Sequence, residues 1–223
     1  MNAHDAHRPR KAYIVLTGDI VSSRAVARRD SLQARVRQLL ARLSKEFSEI
    51  VAVPLTISGG DEFQGLFKLD GRVVSLVRCV QSGLHPVVLR VGVGIGAIST
   101  RFAPRSQEMD GEAFAFSREA VLRARKHDAW LWFRTANPDF DLAANAIALL
   151  SGSVKSRWKQ VHWRRAALRD KGWTTTKIAR REGVSQAAVS LSLTHAGYPA
   201  VSAAEASLAE LTSRFTEVKP TGL

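Results

Sequence analysis

Asp19 closes an apolar run behind Gly18, and further along the chain Asp61-Glu62 follows the glycine pair Gly59-Gly60. Carboxylates brought to one point suit Mg2+ (or Mn2+) shared with a nucleoside triphosphate, because such ions take hard oxygen ligands and readily share them with phosphates. Asp19, Asp61 and Glu62 are therefore the candidate catalytic residues, with Glu62 placed to orient a metal-bound water or a basic side chain. Gly18, Gly59 and Gly60 would let backbone approach the ligand.

A second constellation lies in residues 174–193, TTTKIARREGVSQAAVSLSL. Ile178-Ala179, Gly183, Val184 and Val189 fall at the spacing of a helix-turn-helix: the alanine lets two helices touch, the glycine makes the turn and the valines plug the angle. Ser185 is a natural N-cap for the second helix. In duplex DNA that helix would lie in the major groove. Ser185, Gln186, Ala187, Ser190 and Thr194 would lie along it, and Lys177, Arg180 and Arg181 would meet phosphates, together with Arg164, Arg165, Arg169 and Lys171.

The elements that must position these groups follow from periodicity. Residues 12–17 (AYIVLT) form a buried strand, and 28–49 carry Leu32, Val36, Leu39, Leu40, Leu43 and Phe47 at helical spacing. VAVPLTIS and DEFQGLF flank Gly59-Gly60 as a hairpin; a helix over 71–84, a strand over 87–98, a helix over 111–126 and a strand over 129–135 follow. That order predicts an α+β fold, a ferredoxin-like (split βαβ) antiparallel sheet, followed by an all-α helix-turn-helix domain. In this arrangement the exit of the first strand and the hairpin turn share one sheet edge, so Asp19 and Asp61 converge. The break Ser151-Gly152-Ser153 suggests domains at 1–150 and 151–223. A last amphipathic helix, with Leu208, Leu211 and Phe215, either caps the second domain or pairs two chains.

Charge separates the two halves. The chain of 223 residues has a formal net charge of +13, and residues 151–223 hold 12 basic against 5 acidic side chains. Ten Lys/Arg fall between positions 155 and 181 against Asp170 alone, interleaved with Trp158, Trp163 and Trp173; the tryptophans read as domain core rather than stacking platforms. A polyanionic partner is expected, and its placement favours DNA for the second half. Cys79 falls in an apolar helical run and reads as a core thiol. The absence of a membrane-length apolar stretch makes a cytoplasmic protein without a membrane partner the expectation.

Ser58-Gly59-Gly60-Asp61-Glu62-Phe63 contains the literal GGDEF string, and Gly18-Asp19-Ile20-Val21 is similar to the Asp-Ile that opens the catalytic strand of class III nucleotidyl cyclases and palm-type polymerases. TGDIVSSR (17–24), SGGDEFQGLF (58–67), RVGVGIG (90–96) and DGEAFAFSREAV (110–121) together resemble the SatD family. The resemblance implies a cyclase-like palm in which Asp19, the Ile20 carbonyl and Asp61 hold metal. It also implies a phosphate grip by Ser22, Ser23 and Arg24 beside Gly59 and Gly60. The stretch 21–35 shows neither the Asn nor the Asp by which diguanylate cyclases read guanine in their pattern, and Phe114 stands where adenylyl cyclases carry Asn, with Arg118 four residues on. The expected protein is a nucleotide-responsive regulator that binds a nucleoside triphosphate through Mg2+ and double-stranded DNA through its helix-turn-helix; related cyclases imply a homodimer. Nucleotidyl cyclase or nucleotidyltransferase turnover is one reading of the palm. The alternative is a catalytically inactive cyclase-like domain serving as a DNA-binding transcription regulator or interaction protein.

Overall fold

The computed structural model describes residues 11–21 and 29–215, and a mixed α/β architecture with one five-stranded sheet emerges. Strand β1 (Tyr13–Ile20) is its central strand; α1 (Arg29–Glu46), β2 (Val51–Gly59), β3 (Glu62–Lys68), α2 (Arg72–Leu84), β4 (Leu89–Gly96), α3 (Glu112–Lys126) and β5 (Leu131–Arg134) follow. The spatial order is β2-β3-β1-β4-β5. Strand β1 runs antiparallel to β3 and β4, β2 antiparallel to β3, and β5 parallel to β4. The remaining helices are α4 (Pro138–Lys155), α5 (Gln160–Asp170), α6 (Thr175–Glu182), α7 (Gln186–His195) and α8 (Tyr198–Ser213).

Period-two alternation along β1 sorts the helices. Ile14, Leu16 and Ile20 face a core shared with Leu40 and Leu43 of α1, Val73 and Val77 of α2, and Ala144 and Ala148 of α4. Val15 faces the other side, against Phe114 of α3 and Met109. Helix α3 lies very close to β4. A Cβ on Gly94 would stand 2.2 Å from the Ala113 carbonyl oxygen, and one on Gly92 would stand 2.4 Å from that of Ser117. Beneath α3, Thr17 Oγ1 and Ser117 Oγ lie 2.9 Å apart, and Gln64 Nε2 donates to Thr17 Oγ1 at 3.1 Å. These buried polar groups fix the rotation of α3 over the strand ends.

One expectation about local structure, the break at Ser151-Gly152-Ser153, needs correcting. Helix α4 continues through Ser151, Gly152 and Ser153 to Lys155, so the chain has no break at the expected boundary; Gly152 instead leaves room for the Trp130 ring, which would lie 2.3 Å from a Cβ there. The last helix joins two cores: Val201 and Tyr198 at its start pack with Trp158 and Trp163 of the C-terminal part. Leu208 of α8 and Phe215 just beyond it belong to the sheet's own core, where Phe215 meets Phe140 edge-on at 4.9 Å.

Helix α8 is also tied to α2 by buried charge. Arg78 Nη1 donates to Glu205 Oε2 at 2.6 Å and its Nε reaches Asp170 Oδ2 at 2.9 Å. Lys155 Nζ pairs with the other oxygen of Glu205, donates to Gln81 Oε1 and lies 3.3 Å from the Trp130 ring centre. Burial pushes the Lys155 ammonium down to about 8, against the opposing pull of Glu205. Removing one partner of a buried pair leaves the others uncompensated, at a cost of about 3–5 kcal/mol. Glu205→Ala is expected to lower the unfolding free energy in urea by that amount; a loss below ~1 kcal/mol would contradict the network's structural role.

Candidate functional site

The hairpin β2–β3 turns at Gly60 and Asp61, with Gly60 at φ +56. A Cβ at either Gly59 or Gly60 would meet nothing within 4 Å, so this rim is open on its outer side. Gly18 has a different role from the expected one. A Cβ there would stand 2.0 Å from the Phe63 ring, so its missing side chain admits a core aromatic, not a ligand.

Asp19 lies opposite Glu62 of β3 on one side and Arg90 of β4 on the other. Directly opposed residues share a face, so this end of the sheet presents a row Glu62, Asp19, Arg90 toward α3. Two carboxylates side by side repel and require a cation. Arg125, in the last turn of α3, supplies it. Its guanidinium reaches Asp19 Oδ2 at 3.0 Å and Glu62 Oε1 at 3.7 Å. Arg90 points a nitrogen at Asp128 Oδ1, 3.0 Å away.

Asp61 stands beside this row, and its carbonyl accepts the Ile20 amide at 3.0 Å. It lines a narrow cleft between the hairpin and α1, with Ile20, Leu32, Gln33 and Val36, whose volume of about 10 Å³ holds roughly one water. A triphosphate would therefore lie over the open sheet end, not inside this cleft. Asp19, Ile20, Asp61, Glu62, Gly59 and Gly60 are thus gathered at one end of the sheet. Ser22, Ser23 and Arg24 lie outside the described residues.

The hard carboxylate oxygens of Asp19 and Glu62, which share the Arg125 guanidinium, have the chemistry a divalent cation such as Mg2+ would need, and Asp19 with the hairpin acids would be the residues to hold it. Among the described residues no group of three or more His, Cys, Asp or Glu is placed to hold a metal ion. An ion held by two of these acids would have to take its remaining ligands from phosphate and water. Sequence reading singled out Arg118 on α3, which instead stands 3.6 Å from Asp110, and missed Arg125, two turns nearer the acids. Its only sequence signal was a basic residue in the last turn of a helix that ends at the strand exits.

In the C-terminal part, α6 ends on Gly183 in the left-handed conformation, φ 66, and α7 starts at Ser185, whose hydroxyl accepts the Ala188 amide at 3.1 Å. Ile178, Ala179, Val189 and Leu193 form the core between the two helices, with Trp173 and Leu168 against it. Gln186, Ala187 and Thr194 are exposed along α7 and Ser190 is half-buried; Gln186 Nε2 donates to Thr175 Oγ1 at 3.1 Å. Lys177 and Arg181 sit over the Trp173 ring, and Arg180 is exposed.

Several cations expected to face phosphate are committed within the protein. Arg164 and Arg165 both bind Glu182, at 2.9 and 2.7 Å; burial alone would raise that carboxyl, but the two guanidiniums hold it below its usual range. Arg169 donates to the Trp173 carbonyl, and Lys155 is sealed against Glu205. Arg157, Lys159, Lys171, Lys177, Arg180 and Arg181 stay exposed. Trp158 and Trp163 are buried in contact with each other, ring centres 4.9 Å apart, as core residues.

Residues 13–198 match the SatD family, and the chain belongs to it. The match runs through the sheet and onward across α4 to α7, so both constellations lie within the family's span. No curated protein matches the chain. Two solved structures similar to it are each described as a bacterial light-regulated adenylyl cyclase. One is 16% identical with a TM-score of 0.42, covering 56% of this chain and 77% of its own. The other is 16% identical with a TM-score of 0.43, covering 60% of this chain and 46% of its own. No helix among the described residues is long and apolar enough to cross a membrane.

A divalent cation at Asp19 and Glu62 would compete with Arg125 for the same carboxylates, and a half-exposed ion pair is worth up to ~1 kcal/mol, or about fivefold in affinity. Arg125→Ala is therefore expected to tighten Mn2+ binding by about that factor, read by electron paramagnetic resonance of the free ion, and Asp19→Asn to abolish it. Unchanged Mn2+ affinity in both variants would remove the metal assignment.

Proposed function

We propose that this SatD-family chain is a DNA-binding regulator whose sheet portion, a split βαβ palm, binds a nucleoside triphosphate together with Mg2+. The observation that supports the DNA role best is the helix pair α6–α7. A left-handed glycine turn, two side-chain-capped helix starts and a closed apolar angle leave α7 exposed beside Lys177, Arg180 and Arg181. In a major groove, Gln186 would face base edges once it leaves Thr175, while Ala187 offers only an apolar contact such as a thymine methyl. Direct readout would then be modest, and the affinity would come mainly from phosphate contacts.

For the nucleotide, Asp19, Asp61 and the Ile20 carbonyl would hold the ion, with Glu62 orienting a bound water. When bound, Mg2+ would neutralise phosphate charge. Arg125 would then give up its carboxylate partners and its guanidinium would be free to meet a phosphate oxygen. Gly59 and Gly60 give the ligand unobstructed access to hairpin backbone. Binding without turnover is sufficient for this role.

Anisotropy of a labelled duplex, titrated with the full chain at several salt concentrations, tests the DNA assignment. The logarithm of the binding constant is expected to fall linearly with log salt, and Arg180→Ala with Arg181→Ala to reduce the slope by about two, one for each lost phosphate contact. Salt-independent binding, or a slope unchanged in the double variant, would overturn it.

A further inference from the structure

Helix α4 buries one side and leaves the other bare. Phe140, Ala144 and Ala148 face the sheet's core, whereas Leu142, Ala143, Ala146, Leu149 and Leu150 lie on the outside. Leu142 is 74% and Leu150 70% exposed, more than any other large apolar side chain among the described residues. At 3.6 residues per turn these five positions form one stripe down the helix, opposite the buried side. Single leucines on a surface need no account, but a continuous stripe marks a contact surface. Residues 138–154 hold two acids, Asp139 and Asp141, and no Lys or Arg, so the stripe lacks the basic flanks by which a helix lies on an anionic membrane. The neighbouring sheet edge is closed to a partner strand: Asn145 Oδ1 accepts the Phe133 amide at 2.7 Å, and its Nδ2 donates to the Phe133 carbonyl at 3.0 Å. What this edge of the molecule offers a partner is the helix, not the strand.

The stripe has the same form read from either end. Leu142 and Leu150 lie four residues to each side of Ala146, and Ala143 and Leu149 lie three to each side. Two copies of α4 laid antiparallel, crossing at Ala146, would set each Leu142 against the partner's Leu150, and the small alanines would let the helix axes approach closely. Such self-matching is what two-fold pairing requires of a surface. Charge agrees. Asp139 is exposed at the start of the helix and Arg157 just past its end, so the antiparallel order brings opposite charges toward each other. We propose that α4 pairs two copies of this chain about a two-fold axis at Ala146. The face is small beside those of permanent dimers, which places the dissociation constant near ~10 µM. This pairing rests on neither the metal nor the DNA reading. Should α6–α7 read a duplex, the dimer would present two such pairs with the symmetry of a palindromic site.

Sedimentation velocity of the full chain from ~1 to ~100 µM tests the pairing, and the expected result is a concentration-dependent passage from monomer to dimer. Leu142→Asp and Leu150→Asp, both at exposed positions, should each leave thermal unfolding unchanged and weaken pairing about tenfold or more. Symmetry counts each substitution twice. Leu122→Asp, equally exposed but on α3, should leave pairing unaltered. Oxidative cross-linking then reads the register independently. In a Cys79→Ser background, Ala146→Cys should join readily to itself. Leu142→Cys should join slowly to itself but readily to Leu150→Cys, because a disulfide needs Cα atoms within about 7 Å. A monomer at every concentration, which would leave the face to another protein or a lipid surface, would overturn the proposal. So would pairing indifferent to both leucine variants, or cross-linking no faster at Ala146 than at Leu142.

Discussion

Three buried charges, Arg78, Lys155 and Glu205, and the partly exposed Asp170 tie α2, α4, α5 and α8 to one another. Arg78 lies on the apolar face of α2 and can stay charged there only because Glu205 and Asp170 reach it from the C-terminal helices. Burial disfavours the guanidinium's charge, but the two carboxylates more than offset this and raise its pKa. Asp170, itself pushed up by burial, is also held by the Tyr198 hydroxyl at 3.0 Å. An apolar contact would bury the same surface without specifying which helices meet; a charge without its partner is costly enough to exclude other packings. Through this contact the helix pair α6–α7 is fixed relative to the sheet.

At the far end of the sheet an analogous constraint acts at the surface. Register places Asp19 against Glu62, and pairing geometry alone makes that end of the sheet electrostatically unfavourable without a cation. Arg125 satisfies the demand from within the chain. A cation from solution would displace it and so free a guanidinium on α3, the helix packed on Gly92 and Gly94 with almost no clearance. Because α3 is that close, a change in its last turn has little slack to absorb it. This gives a physical route by which ligand at the acidic row could alter the rest of the protein.

Much of this was legible in the sequence wherever a short-range rule operated. Period-two and period-3.6 patterns placed the strands and helices through residue 135, and the convergence of Asp19 with the hairpin followed from the order of elements alone. Glycine 183 and Ser185 announced their turn and cap. What escaped were pairings between distant residues. Lys155 and Arg165 look like surface cations in a basic stretch, yet both are buried, because their partners Glu205 and Glu182 are far away or just outside that stretch. Gly18 looked like a ligand-facing glycine, and only the position of Phe63 across the sheet shows otherwise. The continuity of α4 through Ser151-Gly152-Ser153 escaped for the same reason: a glycine that reads as a break is required there by Trp130.

The central claim is that the acidic row and the helix pair are two sites of one linked system. Linkage makes it measurable, since a ligand that alters DNA affinity must have its own affinity altered by the same factor. The most direct measurement is the dissociation constant of the full chain for a labelled duplex at fixed salt, with and without each nucleoside triphosphate plus Mg2+, in the unaltered protein and in Asp19→Asn. The account predicts a shift of about fivefold or more with at least one triphosphate in the unaltered protein and none in Asp19→Asn. Identical affinities with and without every triphosphate, or a shift that survives Asp19→Asn, would contradict it.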